Sequence, residues 1–510
     1  MPFNSKNSKK ILPAIIALLI AYLISYLMLK GVGAPRAFFH TMMLVYLITL
    51  CSASKKVFRY FVVPLTVIYA LYTPIGFTYG SVSYDFLIAG LSTDRLEAGE
   101  FIHQIPYKNY LFPFIIVGGL LLFRKITSKY DIHFFRNRTF LFIALIIMLA
   151  GQAPLHFIRT FKESIASVYE EQSILKDSIQ EQTWGESILK NSQYDNYILI
   201  IGESARRDYH HAYGYPIENT PFMSNADGVL INGLTGGGSS TVPSLKAMLT
   251  QSSKTTWDAD YSKTFIGLAK SANIKTYWLS NQGYLGTHDT PISAIAQNSD
   301  NRYFSKSGGY DSVNTSDFDL LTEFEKIIIQ NPLEKKLIVL HLYGSHPNAC
   351  DRIDDYHLIH EVQDNYYSYL NCYISSIHKT DKLLETVYNF MMKSNNKNNS
   401  SFSMLYFADH GMAHREINDI LYFNNNKLSN FHYDIPLFAT SSDNASRKEC
   451  QSFKSGLNFT TGVGNWMGIH NENLDPNYSL FDCKDDPDDF GLSNKLRGIE
   501  PDYPIDLRGK

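Results

Sequence analysis

Five long apolar runs, at 11–29, 37–53, 58–77, 110–123 and 139–153, all fall in the first 155 residues. A bilayer offers no partner to backbone polar groups, so runs of this kind are restricted to helices. Several approach the ~20 residues that one crossing needs, and the fourth borrows flanking residues to reach it. More spans follow the first and no small-residue cleavage site closes it, so it is not read as a cleaved signal. Lys6, Lys9 and Lys10 precede the first run. Lys55, Lys56 and Arg59 separate the second from the third, and Arg124, Lys125, Lys129, Arg136 and Arg138 the fourth from the fifth. The intervening loops are poor in basic residues. Basic loops stay cytoplasmic, so the N-terminus is predicted inside and everything after about residue 155 outside.

The remaining chain reads differently. The mean hydropathy of −0.15 averages two unlike parts, and a net charge of −3 gives no basis for a nucleic-acid partner. Residues 156–195 mix apolar and charged positions, with Ile158, Phe161, Ile165 and Val168 at helical spacing. This suits an amphipathic linker on the bilayer surface. The loop 80–109, with Thr93, Asp94, Arg95, Glu97 and Glu100, is either solvated or a wall of a site at the membrane.

Residues 196–510 alternate strand-like apolar runs with helical patterns. The runs at 198–201, 275–279, 337–342, 403–408 and 435–440 predict an α/β domain with a mostly parallel sheet. Because the sheet opens with its own strand at Asn196, a fragment from about residue 190 is expected to fold alone. Cys350, Cys372, Cys450 and Cys483 lie in the half assigned outside, where disulfides persist. Proximity in sequence favours Cys350–Cys372 and Cys450–Cys483.

Three runs end in chemistry. Glu203 follows the first, His346 the third, and Asp409 with His410 the fourth. Carboxylates and imidazoles at the C-terminal edge of one parallel sheet form the donor set a zinc-like ion takes. The stretch Gly236-Gly237-Gly238-Ser239-Ser240-Thr241 precedes a helix. A hydroxyl there, at a helix N-terminus, is suited to attack phosphorus, with Ser239, Ser240 and Thr241 as candidates.

The set Gly202-Glu203-Ser204, Thr241-x-x-Ser244-Leu245-x-x-Met248-Leu249-Thr250, Ser280-Asn281-Gln282, Gly344-Ser345-His346, Asp409-His410-Gly411 and Asn465-Trp466-Met467-Gly468-Ile469 resembles the bacterial phosphoethanolamine transferases of the alkaline phosphatase/sulfatase superfamily. The resemblance implies a five-helix transmembrane domain over 1–155, a linker over 156–195 and a periplasmic catalytic domain over 196–510, anchored in the inner membrane. It implies zinc, with manganese the alternative ion, held by Glu203, Thr241, Asp409 and His410. Thr241 would be the nucleophile that carries phosphoethanolamine during turnover. His346 and His432 would lie at the transferred phosphate, with His414 the rival of His432, and Glu97 would meet substrate from the loop. Phosphatidylethanolamine is the implied donor and lipopolysaccharide the acceptor. The cysteines that flank the nucleophile in lipid A-modifying members are absent, which leaves lipid A and core sugars both open. A glycerol-phosphate transferase and a non-catalytic membrane lipid sensor are the alternative readings.

Overall fold

The computed structural model describes the chain except residues 1–4, 35–37, 84–85, 88–89, 91–94, 135–141, 143–155, 179–180, 191, 284–290, 307–313, 331–333 and 426–427. It divides into two units, Met1–Leu87 with Phe101–Val168, and Ile88–Glu100 with Tyr169–Lys510.

Among its described residues the first unit holds three helical stretches long and apolar enough to cross a membrane, Lys10–Gly31, Lys55–Tyr79 and Tyr107–Lys129, and a shorter apolar helix, His40–Cys51. The fourth sequence run, short as an apolar stretch, is lengthened on both sides, from Tyr107 to Lys129. The fifth, 139–153, lies outside the described residues except for Phe142, so the described residues show three or four apolar helices and do not test the fifth. The stretches Lys10–Gly31 and Lys55–Tyr79 meet backbone to backbone. A Cβ on Gly76 would lie 1.8 Å from the carbonyl oxygen of Gly31, the close approach that small residues allow between membrane helices.

The second unit is built on an eight-stranded sheet. Its strands, numbered along the chain, are β1 (Asn196–Gly202), β2 (Gly228–Thr235), β3 (Lys275–Ser280), β4 (Asn301–Phe304), β5 (Lys336–His341), β6 (Phe402–Ala408), β7 (Leu437–Ser441) and β8 (Arg447–Ser455). Their order across the sheet is β8-β2-β7-β6-β1-β5-β3-β4. β1 lies between β6 and β5 and runs parallel to both. β7 runs antiparallel to both of its neighbours, so the sheet is mixed but mostly parallel.

Each central strand feeds two cores. Tyr197, Leu199, Ile201, Val339, Leu405 and Phe407 pack on one face with Leu245, Met248 and Phe265. Ile198, Ile200, Ile338, Leu340, Met404 and Tyr406 pack on the other with Phe324, Leu384 and Met391. This two-sided burial is why these strands read as unbroken apolar runs. β8 escaped the sequence reading because it is an edge strand with a polar sequence, Arg447-Lys448-Glu449 at its start.

Cys350–Cys372 and Cys450–Cys483 are both bonded, as sequence proximity suggested. The boundary of the catalytic core falls earlier than residue 190. Leu175 and Trp184 are buried in it, and the Trp184 indole donates to the Thr264 carbonyl.

Candidate active site and metal centre

Parallel pairing of β5, β1 and β6 brings their C-terminal ends to one edge. Gly202 is paired with Ala408 and Ile201 with His341, so Glu203 and Asp409 leave the sheet side by side. The chain turns sharply after Glu203, with Ser204 at φ +53°, a left-handed conformation that a non-glycine residue seldom adopts. That turn aims the Ser204 N–H at Asp409 Oδ1 (2.8 Å) and its hydroxyl at Glu203 Oε1 (2.6 Å). The third strand end comes so close that a Cβ on Gly344, at φ +42°, would lie 2.9 Å from the Glu203 nitrogen.

Glu203, Asp409 and His410 are buried, and one ligand atom from each lies within 4.8 Å of the others. Asp409 Oδ1 accepts N–H bonds from Ser204 and His410. Its Oδ2 is buried with no hydrogen-bond partner among the described residues. His410 Nδ1 donates to the Gly411 carbonyl at 2.6 Å, which leaves Nε2 as the ligand nitrogen. Gln282 Nε2 donates to Glu203 Oε2 at 3.1 Å. Burial and the neighbouring Glu203 charge push Asp409 far above the usual carboxylate range. Burial alone would lower His410, but Asp409 and Glu203 raise it. Two carboxylates and an imidazole buried together form a donor set that a divalent cation fits.

Thr241 opens the helix Thr241–Met248. Its Oγ1 lies 3.3 and 3.4 Å from the two oxygens of Glu203 and 3.3 Å from His410 Nε2. Ser244, one turn on, accepts from the Gly237 N–H and donates to the Asp409 carbonyl, which pins glycine loop and helix to the centre.

The histidines separate by their partners. His414 uses both ring nitrogens, Nδ1 on Asp502 (2.7 Å) and Nε2 on the Tyr209 hydroxyl (2.6 Å). His432 engages only Nδ1, with Ser429, and its buried Nε2 has no partner among the described residues. Burial and the nearby His410 lower His432 to about 3. His346 stacks on Tyr343 at 4.7 Å. Burial lowers it to about 4, Glu203 pulls it upward, and Arg352, Lys306 and His410 push it down. The backbone of Glu97 belongs to the helix Arg95–His103, while its side chain lies outside the described residues.

Sequence reasoning missed Asp317. Its Oδ1 accepts the Tyr343 N–H and its Oδ2 the Gly344 N–H, fixing the turn that carries His346. Nothing near Asp317 in sequence announces this.

A mixed sheet with a carboxylate–histidine centre at its C-terminal edge and a hydroxyl at a helix N-terminus defines an enzyme of the alkaline phosphatase/sulfatase type whose site fits a divalent cation. Residues 195–469 match the sulfatase family. A putative phosphoethanolamine transferase of Haemophilus influenzae is 46% identical over 429 residues, 82% of this chain and 88% of that protein. Phosphoethanolamine transferase OpgE of Escherichia coli K12 is 30% identical over 90% of each chain. Among solved structures, the integral membrane lipooligosaccharide phosphoethanolamine transferase A (EptA) of Neisseria meningitidis shares the fold, with a TM-score of 0.61 and 16% identity over 91% of this chain and 96% of that one. The chain belongs to the membrane-anchored phosphoethanolamine transferases. It is a multi-pass membrane enzyme rather than a non-catalytic lipid sensor.

Proposed function

We propose that this enzyme moves phosphoethanolamine from phosphatidylethanolamine to lipopolysaccharide, at lipid A or a core sugar, by way of a covalent intermediate on Thr241. The catalytic domain works in the periplasm, the side that the basic loops predict. The observation that carries the reading is the Thr241 hydroxyl, within 3.4 Å of both Glu203 and His410 at the start of a helix. Glu203, Asp409, His410 and Thr241 would hold zinc, which when bound supplies Lewis-acid charge favouring the Thr241 alkoxide. Thr241 Oγ attacks the donor phosphorus. The bond to the diacylglycerol oxygen breaks, and that oxygen leaves with a proton as diacylglycerol. An acceptor hydroxyl then gives up its proton and attacks the same phosphorus, and the bond to Thr241 breaks. The N–H groups of the helix start favour the anionic phosphate. His346 and His432 contact it, and Glu97 meets substrate from the 80–109 loop.

Thr241→Ala should fold and lose transfer by on the order of a thousandfold or more. Tryptic mass spectrometry of the native enzyme, given donor without acceptor, should find phosphoethanolamine on Thr241. Finding it on Ser239 or Ser240 would reassign the nucleophile. Ala at Glu97, His346 or His432 should slow transfer from labelled phosphatidylethanolamine in mixed micelles. A wild-type rate in any of them removes that residue from the site. Mass spectrometry of lipopolysaccharide from cells with and without the protein tests the acceptor, and unchanged lipopolysaccharide rejects it.

A further inference from the structure

Glu97 was the acidic residue of the 80–109 loop that the sequence singled out. The described structure draws attention to its neighbour one turn on, Glu100. This residue groups with the catalytic unit and is 5% exposed. Its Oε1 accepts a bond from Arg352 Nη2. Its Oε2 faces His346 Nδ1 at 3.9 Å, longer than a hydrogen bond, as catalytic contacts often are before substrate binds and tightens them. Arg352 is buried too, donates to Asn314, and lies over the Tyr343 ring at 4.3 Å. His346 stacks on that same ring. Glu100, Arg352, Tyr343 and His346 thus form one packed assembly beside the metal centre. Lys306 also faces it, 3.3 Å from the Tyr343 centroid.

We infer that Glu100 is a positioning residue for His346. A carboxylate on one ring nitrogen of a functional histidine fixes both its tautomer and its orientation. With Nδ1 bearing its hydrogen toward Glu100, Nε2 is the nitrogen offered to substrate. The guanidinium has only donors and engages Oε1, so Oε2 is the oxygen that faces the imidazole. This makes Glu100→Gln an informative change. The amide oxygen must stay on Arg352, and the amide nitrogen, a donor, then faces His346 and reverses the tautomer. The inference rests on the reading of His346 as a residue at the transferred phosphate.

The test uses zinc-loaded full-length enzyme in mixed micelles. The readout is the single-turnover rate at which labelled phosphoethanolamine loads onto the protein, followed by mass spectrometry. Glu100→Gln should slow loading about tenfold with zinc content unchanged, and Glu100→Asp should recover most of the loss. His346→Ala should slow loading at least as much, and adding Glu100→Gln to it should cost less than about a further twofold, the non-additivity of residues that act as one unit. An equal factor in both backgrounds would show Glu100 acting through Arg352 or the fold, and would overturn the inference. So would wild-type loading in Glu100→Gln. If His346→Ala loads at the wild-type rate, the reading of His346 falls first. If label loads on a residue other than Thr241, the nucleophile is wrong, while the cycle still decides the role of Glu100.

Discussion

Asp409 divides its oxygens between two tasks. Oδ1 accepts from backbone N–H groups, and Oδ2, 3.4 Å from His410 Nε2, is buried with no hydrogen-bond partner among the described residues. Asp409→Ala should therefore remove most bound zinc, with affinity falling by on the order of tenfold to a hundredfold or more. Full zinc occupancy by elemental analysis would contradict the ligand assignment. A second residue-scale consequence concerns acid. Burial pushes Asp502 upward, but the hydrogen bond and charge of His414 and the charge of Arg206 hold it down to about 2, below the ~3.9 of a free aspartate. A depressed folded pKa contributes stability above pH ~4 that is lost as pH falls toward 2. Asp502→Asn should cost about 2 kcal/mol at pH 7, the scale of charge-assisted hydrogen bonds. The gap from wild type should shrink between pH 4 and pH 2. Thermal melts of the detergent-solubilised protein at pH 7 and pH 3 measure this, and a gap that persists at pH 3 would refute it.

At the scale of elements, the helix His156–Ser178 changes allegiance along its length. From Tyr169 onward it groups with the catalytic unit. There Glu171 accepts from Lys246 at 2.7 Å and from the Tyr261 hydroxyl, and Lys246 sits on the helix that Thr241 opens. Its amphipathic period was legible in sequence, but which part packs in the catalytic core was not. Charged residues such as Glu171 look like a solvated face until a partner 75 positions away folds against them. A fragment from residue 190 to 510 lacks Leu175 and Trp184, so it should be less stable than one from residue 169 by at least about 3–5 kcal/mol, the scale of one lost buried tryptophan. Equal denaturant midpoints for the two fragments would show that this segment contributes little.

For the whole molecule, the positive-inside rule puts the basic helix start at Lys55–Arg59 in the cytoplasm and Lys510 in the periplasm. Reporter fusions at these two points should give opposite signals, one active only in the cytoplasm and one only outside. The same compartment for both would break the topology. An oxidising periplasm also fits the two bonded cysteine pairs. Cys51, by contrast, is free and buried among the membrane helices.

The sequence alone settled whatever depends on local period and on the ends of strands. Apolar runs marked the helical membrane half. Unbroken runs marked strands buried on two faces, and among the residues just beyond their ends Glu203 and Asp409-His410 gather at one sheet edge, the edge from which His346 was also read. Tertiary structure decided whatever depends on distant partners. His414 and His432 are alike on paper. Only the fold brings Asp502, 88 residues on, to occupy one nitrogen of His414 while leaving His432 Nε2 without a partner among the described residues. Ser239, Ser240 and Thr241 are adjacent hydroxyls, and the helix start carries Thr241 to Glu203 and His410. Glu100 reaches Arg352 across 252 positions, a pairing no spacing rule encodes. Strand ends are fixed by period, which is written locally. Which side chains meet there is fixed by the order in which strands pair, and that order is set by the packing of both cores at once.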